Sequence, residues 1–413
     1  MQDRKRKNVI IQIPERAFTS EFEIITKEND MAKSRAELFR DYQLKQSEKA
    51  KNPFAQVIRA SQVGGIEYIK TGIPEYDITF GGLPRGRHVI WFGGPGGCKS
   101  TTVAKTIGNL QKQGLAVFLA EPEETFEPEW AVKQGVDLDA LTMTREASYG
   151  RVMDGVIDMT KSGLVDVIFI DSLAALKFKE LDKKGTEEDF MALMARRLSA
   201  SYFPNITEPM AKNKVCIVYV SQRRSNMDAY SAGVERYPGG NALEHFLSVA
   251  INFRRASYKD LPDHGDRFKS GDENLGFYLK MKATKSKMPS ITEGKNVGLS
   301  FMFEKGFNHA YGLFDMAVQN EVLSRKGPHY SLIKPDKTEY TQMGLANVIN
   351  DLETEESLRN DFTTLLIKKG TETQTEEIKE EDFNEQPICS SNTETDTSVD
   401  EGTVPKAPRK KKK

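Results

Sequence analysis

The chain has few cysteines, no long apolar run and almost no net charge. Its three cysteines (Cys98, Cys216, Cys389) lie far apart and are odd in number, which leaves neither a disulfide framework nor a zinc-ligand spacing. A reducing cytoplasm is the expected compartment. No apolar stretch approaches the ~18 residues that span a bilayer. The patch Val9 to Ile13, after Lys5-Arg-Lys7, is too short for a signal peptide. No membrane partner is expected. A formal net charge of −1 argues against a generic nucleic-acid binder, so any polyanion site has to be a local patch or groove. The near-neutrality is uneven. Residues 371–401 carry eleven acids and one lysine, and residues 402–413 carry six basic residues and no acid.

What is present is organised around His88-Val-Ile-Trp-Phe-Gly-Gly-Pro-Gly-Gly-Cys-Lys-Ser-Thr-Thr102. Val89 to Phe92 reads as a buried strand, and Gly93, Gly94, Pro95, Gly96 and Gly97 as a tight loop. Cys98, Lys99, Ser100 and Thr101 then lead into a helical segment ending near Leu110. Strand, glycine loop, Lys-Ser and helix is the order of a phosphate-binding loop. Glycines let successive amides curl around an anion, and the helix N-terminus adds partial positive charge. The lysine reaches outer phosphates and the serine hydroxyl can ligate Mg²⁺, so ATP and Mg²⁺ are the expected cofactors. Cys98 departs from the pattern, because glycine normally precedes the lysine.

Apolar strands are expected at 116–120, 165–170, 214–220, 248–254, 276–283 and 298–303, with helices over 152–160 and 185–200 between them. This alternation implies an α/β fold with a mainly parallel sheet covered on both faces. Residues 1–64 read as an N-terminal arm with one possible strand, Val9 to Ile13. An amphipathic helix over 31–50 places Leu38, Phe39, Tyr42 and Leu44 roughly on one face. The core spans 65–310 and a small mixed α/β module spans 311–370, ending in a helix over 355–368. The charged sequence over 371–413 should be disordered.

Three further stretches sit where the expected strands end. Asp171 closes Val-Asp-Val-Ile-Phe-Ile, at the crevice where ligands of such sheets bind, and beside a phosphate loop it would help hold Mg²⁺. Glu121-Pro-Glu-Glu124 follows the strand at 116–120, where a carboxylate could orient or deprotonate an attacking water. Spacing alone does not choose among Glu121, Glu123 and Glu124. Gln222 ends the strand at 214–220 and could hydrogen-bond a γ-phosphate. The loop Arg223 to Pro238 carries three arginines and two tyrosines, among them Arg223, Arg224, Tyr230 and Arg236. Arginines interleaved with tyrosines suit the phosphates and base faces of single-stranded nucleic acid.

In this order, over about residues 65–365, the signals resemble the RecA recombinase family. The matching segments are Gly-Gly-Leu-Pro-Arg-Gly-Arg87, the loop 93–100, Glu121-Pro-Glu-Glu-Thr-Phe-Glu-Pro-Glu-Trp130 and Ile170-Asp-Ser-Leu-Ala-Ala-Leu176. Ser221-Gln222, Gly239-Gly240-Asn241-Ala-Leu243 and Phe253-Arg-Arg255 also match. The resemblance implies a RecA-like ATPase core and a homo-oligomeric filament on single-stranded DNA that pairs it with homologous double-stranded DNA in recombination and repair. It implies single-strand-binding and loader proteins as partners. It makes Glu123 the catalytic glutamate, with Lys99 and Gln222 beside it, and puts Trp130 in place of the aromatic that stacks on adenine. Gln222 becomes the γ-phosphate sensor at the root of the second DNA-binding loop, with Gly239, Gly240 and Asn241 at that loop's far end. The region around 180–190 resembles the first such loop. Lys285 and Lys287 resemble a lysine pair that enters the neighbouring subunit's ATP site. Tyr330 and Gly344-Leu-Ala-Asn resemble the family's C-terminal domain.

Departures from the family are Cys98, the charge-rich first loop over 179–188, the offset of Tyr230 and the basic tip after the acidic tail. Together they point to a phage-encoded member. Two rival functions share this core. One is a ring helicase, and the other is a DNA-binding scaffold whose ATPase is impaired at Cys98.

Overall fold

Residues 88–93 are buried at every position, a pattern that only an interior strand covered on both faces satisfies. The computed structural model describes residues 64–181, 187–222, 224–225, 235–236, 240–257, 261, 263 and 265–383, together with Phe39 and Asp41. Contacts divide the chain into Met1–Glu67 and Tyr68–Lys413. The expected N-terminal strand and amphipathic helix lie outside the described residues apart from Phe39 and Asp41, which are helical.

In chain order the main-sheet strands are β1 (His88–Gly93), β2 (Val117–Ala120), β3 (Thr142–Thr144), β4 (Val167–Asp171), β5 (Cys216–Gln222), β6 (Val249–Ala256), β7 (Gly276–Ser286), β8 (Asn296–Met302) and β9 (Gly306–Asn308). Across the sheet they run β9-β8-β7-β6-β1-β5-β4-β2-β3. The six strands from β6 to β3 pair in parallel, and β7, β8 and β9 add an antiparallel edge. The fold is therefore α/β, with a mainly parallel sheet flanked by helices.

The helices are α1 (Pro74–Phe80), α2 (Lys99–Lys112), α3 (Pro128–Lys133), α4 (Tyr149–Ser162), α5 (Glu187–Arg197), α6 (Phe203–Lys212), α7 (Gly240–Phe246), α8 (His309–Gln319), α9 (Leu345–Thr354) and α10 (Glu356–Phe383). Helix α2 buries Val103, Ile107 and Leu110, the 3.6-residue spacing that gives a helix one apolar face. On one side of the sheet Trp91 packs between Phe169 and Phe253 and donates to the Tyr76 hydroxyl of α1. On the other side Ile90, Ile168, Ile170 and Ile217 share a core with Val152, Val156, Phe203 and Ile206 of α4 and α6. A single helix expected at 185–200 is instead α5, a π-helical turn (Leu198–Tyr202) and α6. Pro204 falls at the start of α6, directly after the π-helical turn.

Beyond the sheet, β10 (Ser324–Lys326), β11 (His329–Ile333) and β12 (Glu339–Met343) form an antiparallel sheet. It shares a core with α8, α9 and α10 built on Phe314, Tyr330, Leu352 and Phe362. Helix α10 continues to Phe383, past Gly370 where the sequence reading ends the ordered chain. Its last turns are rich in Glu and free of Pro, and Glu favours helix on its own. Residues 384–413, with most of the acidic tail and the basic tip, lie outside the described residues.

Candidate nucleotide site

The glycine loop leaves the C-terminal end of β1 between two parallel neighbours. Gly93 stands opposite Gln222 of β5 and Phe253 of β6, and any Cβ on Gly93 would collide with the Phe253 carbonyl. Only glycine fits this close approach. Cys98 closes the loop at φ 55°, ψ 22°, the left-handed conformation that glycine adopts freely. Lys99 opens α2 and turns back over the loop, its ammonium donating to the carbonyls of Gly94 at 2.9 Å and Gly93 at 3.1 Å. Burial pushes the Lys99 pKa down, while Asp171 and Glu123 pull it back up. Those two carboxylates therefore stand close enough to act on the lysine.

Asp171 ends β4, buried, and accepts a hydrogen bond from the Ser100 side chain. Burial pushes its pKa up to about 6, and the field of Glu123 adds to the rise. The three glutamates that spacing could not rank now differ. Glu121 is buried and closes a turn, its Oε1 accepting from the Thr125 amide at 2.8 Å and hydroxyl at 3.0 Å. Glu124 holds the turn at φ 58°. Glu123 is exposed and accepts a hydrogen bond from the hydroxyl of Ser172, the neighbour of Asp171. Trp130 on α3 donates to the Thr101 hydroxyl at 3.3 Å, which fixes an aromatic face beside the loop. A cavity of about 90 Å³ here is lined by Ser100, Thr101, Glu121, Trp130 and Asp171, among others. A larger cavity of about 490 Å³ opens elsewhere, between Tyr149, Lys177 and Arg197, and does not include the loop.

A lysine folded over a glycine loop, with a Ser–Asp pair and a glutamate beyond it, has the donors to hold a polyphosphate and a hard metal ion. Comparison with known sequences identifies its lineage. Residues 43–308 match the family model for the RecA N-terminal domain. The chain belongs to the RecA family. Protein RecA of Rhodopirellula baltica is 33% identical over 271 residues, covering 65% of this chain and 69% of that protein. Protein RecA of Streptomyces avermitilis is 27% identical over 351 residues, covering 84% of this chain and 89% of its own. A crystal structure of the RadB recombinase aligns with a TM-score of 0.41 at 17% identity, covering 58% of this chain and 97% of its own.

In this RecA-family chain Gln222 is exposed at the end of β5. Beyond it, Arg224–Ser225 pairs antiparallel with Glu235–Arg236. Arg223, Tyr230 and Gly239 lie outside the described residues, and Arg224, Arg236, Gly240 and Asn241 are described by backbone alone. Lys285 and Lys287 are not brought to the chain's own loop. Lys285 pairs with Ala250, which stands beside Ile90 near the start of β1, whereas the loop begins beyond Phe253. Their ammonium groups donate to the carbonyls of Glu244 and His245 at the end of α7. Burial, then the nearby Lys285, lowers the Lys287 pKa. Sequence reasoning gave Arg255 no role. It donates from Nε to the Gly96 carbonyl at 3.1 Å, and only its place in the Phe253-Arg-Arg255 match hinted at it.

Proposed function

We propose that the chain is an ATP-dependent recombinase that assembles as a filament on single-stranded DNA and pairs it with a homologous duplex. The observation that supports this reading best is the convergence of Lys99, Asp171, Glu123 and Gln222 at the C-terminal ends of adjoining strands. Family membership supports the recombination and repair reading and, with it, a DNA-dependent ATPase. The donors suit ATP with Mg²⁺. Ser100 and Asp171 offer the hard oxygen ligands that Mg²⁺ prefers, and Oε2 of Glu121 is buried near them without a hydrogen-bond partner. Among the described residues no cluster of three or more His, Cys, Asp or Glu side chains forms a complete metal cage. That fits an ion shared with phosphates and water rather than one held by protein alone.

Bound ATP with Mg²⁺ supplies the phosphoanhydride whose cleavage drives the cycle. The loop amides and Lys99 hold the outer phosphates, and Ser100 and Asp171 are the side chains that would hold the ion. Trp130 offers a face for the adenine. Glu123 orients the attacking water and takes its proton. Gln222 reports the γ-phosphate to the loop that begins at Arg223, where Arg223, Arg224, Arg236 and Tyr230 grip DNA. Lys285 and Lys287 serve the neighbouring subunit's site, a role that rests on their resemblance to the family's lysine pair; within one chain they sit away from the loop.

Phosphate release by the full chain, with and without single-stranded DNA, tests the reading. We expect DNA to stimulate turnover and Lys99→Ala to abolish both turnover and nucleotide-dependent DNA binding. Glu123→Gln should keep the nucleotide-dependent DNA complex while stopping turnover. Normal turnover in that variant would remove Glu123 as the base. Closed rings instead of filaments in electron micrographs with a slowly hydrolysed ATP analogue would favour a helicase.

A further inference from the structure

Strand β6 passes the phosphate loop on the side opposite Gln222, since β1 lies between β5 and β6. Its pairing with β1 ends at Phe253. Arg255, two residues on, is exposed at the rim. Two contacts and one close approach locate its head group. Nε donates to the Gly96 carbonyl at 3.1 Å. The guanidinium carbon lies 3.9 Å from the ring centroid of Phe277 on β7. Nη2 is 3.1 Å from the point a Cβ on Gly96 would occupy. A guanidinium has five N–H donors in a rigid fork. The bond to Gly96 uses one of them, and among the described residues no carboxylate pairs with Arg255.

The charge around the loop gives this unpaired cation a task. Lys99 faces Asp171 and Glu123, and Glu121 also acts on Asp171. Among this chain's own side chains at the loop, one lysine faces three carboxylates, so most of a triphosphate's charge falls to other groups. Arg255 supplies a further positive charge from the same chain, and stacking on Phe277 holds its fork in place before any ligand arrives. We infer that Arg255 is a phosphate-contacting residue of this site, directed at the terminal phosphate of a nucleoside triphosphate held by the loop. The inference rests on the ATPase reading above. In it, Arg255 and Gln222 address the same phosphate from opposite sides of β1, one by charge and one by hydrogen bonding.

The test compares the affinity of the full chain for methylanthraniloyl-labelled ATP and ADP with Mg²⁺, in wild type, Arg255→Ala, Arg255→Lys and Lys99→Ala. Melting curves confirm that each variant is folded. We expect Arg255→Ala to weaken the triphosphate at least tenfold and the diphosphate less than threefold. Arg255→Lys, which keeps the charge, should recover part of the triphosphate loss. Equal losses for both nucleotides would mean that Arg255 only props the loop at Gly96, and no loss would remove it from the site. Either result overturns this inference while wild type still binds and Lys99→Ala still does not. A wild type that binds neither nucleotide overturns the ATPase reading itself, and this inference with it.

Discussion

Substitution at Cys98 separates the chemistry of the phosphate loop from its backbone shape. The residue holds φ 55° and ψ 22°, which costs an ordinary L-residue roughly 1–2 kcal/mol. Glycine would relieve that strain, but its freedom in the unfolded chain returns about 0.5–1 kcal/mol. Loss of the partly buried thiol side chain returns about 1 kcal/mol more. The sum for Cys98→Gly is therefore close to zero, within about 1 kcal/mol of wild type by these magnitudes. Helix α2 does not need the sulfur. The Cys98 carbonyl accepts from the Thr102 amide at 2.8 Å and hydroxyl at 2.7 Å, and both bonds survive the substitution. The thiol also lacks reactive character, because burial pushes its pKa up to about 12 and it stays protonated. A β-branched residue behaves differently at positive φ, so Cys98→Val should cost about 1–3 kcal/mol. Urea unfolding with ATP-binding measurements on both variants checks the argument. Loss of ATP binding in Cys98→Gly, or undiminished stability in Cys98→Val, would show that the loop's shape is not what constrains this position.

Two predictions concern the fold that carries the site. Arg267 is fully buried, held by Asp315 at 2.7 and 3.0 Å, Asp263 at 2.7 Å and Ser300 at 3.1 Å. Asp315→Ala strands part of that charge and should cost about 3–5 kcal/mol in urea unfolding, and a cost below about 1 kcal/mol would refute the network's role. His88 is buried at the start of β1 with Nδ1 2.9 Å from the Tyr219 hydroxyl, and burial pushes its pKa down to about 3. Its folded pKa lies below its unfolded value near 6.5. Its contribution is therefore complete above pH ~6.5 and is lost as pH falls toward 3, about 2 kcal/mol of it by pH 5. Asp77 and Asp171, both pushed up to about 6 by burial, act in the opposite direction over pH 4–6. The difference between wild type and His88→Phe in urea midpoint at pH 7.5 and 5.0 isolates the histidine, and equal shifts in both proteins would refute its assignment.

By itself the sequence determined what depends on neighbours along the chain. The apolar run at 89–92, the glycines after it and the Lys-Ser pair specify strand, loop and helix in series, because each takes its conformation from local sterics and burial pattern. Asp171 and Gln222 were legible as strand ends for the same reason. Tertiary structure decided what depends on register and on segments distant in the chain. Apart from the family resemblance, Glu123 separates from Glu121 and Glu124 because a buried carboxylate folds the turn and Ser172 arrives from another strand. The short strand β3 has no apolar run to announce it and exists because β2 offers a free edge. For Lys285 and Lys287 the sequence offers only the family resemblance, and it is the pairing of β7 with β6 that sets them against the end of α7. Arg255 meets Gly96 across 159 positions of sequence. No local pattern encodes that contact, because it arises where two parallel strands end side by side.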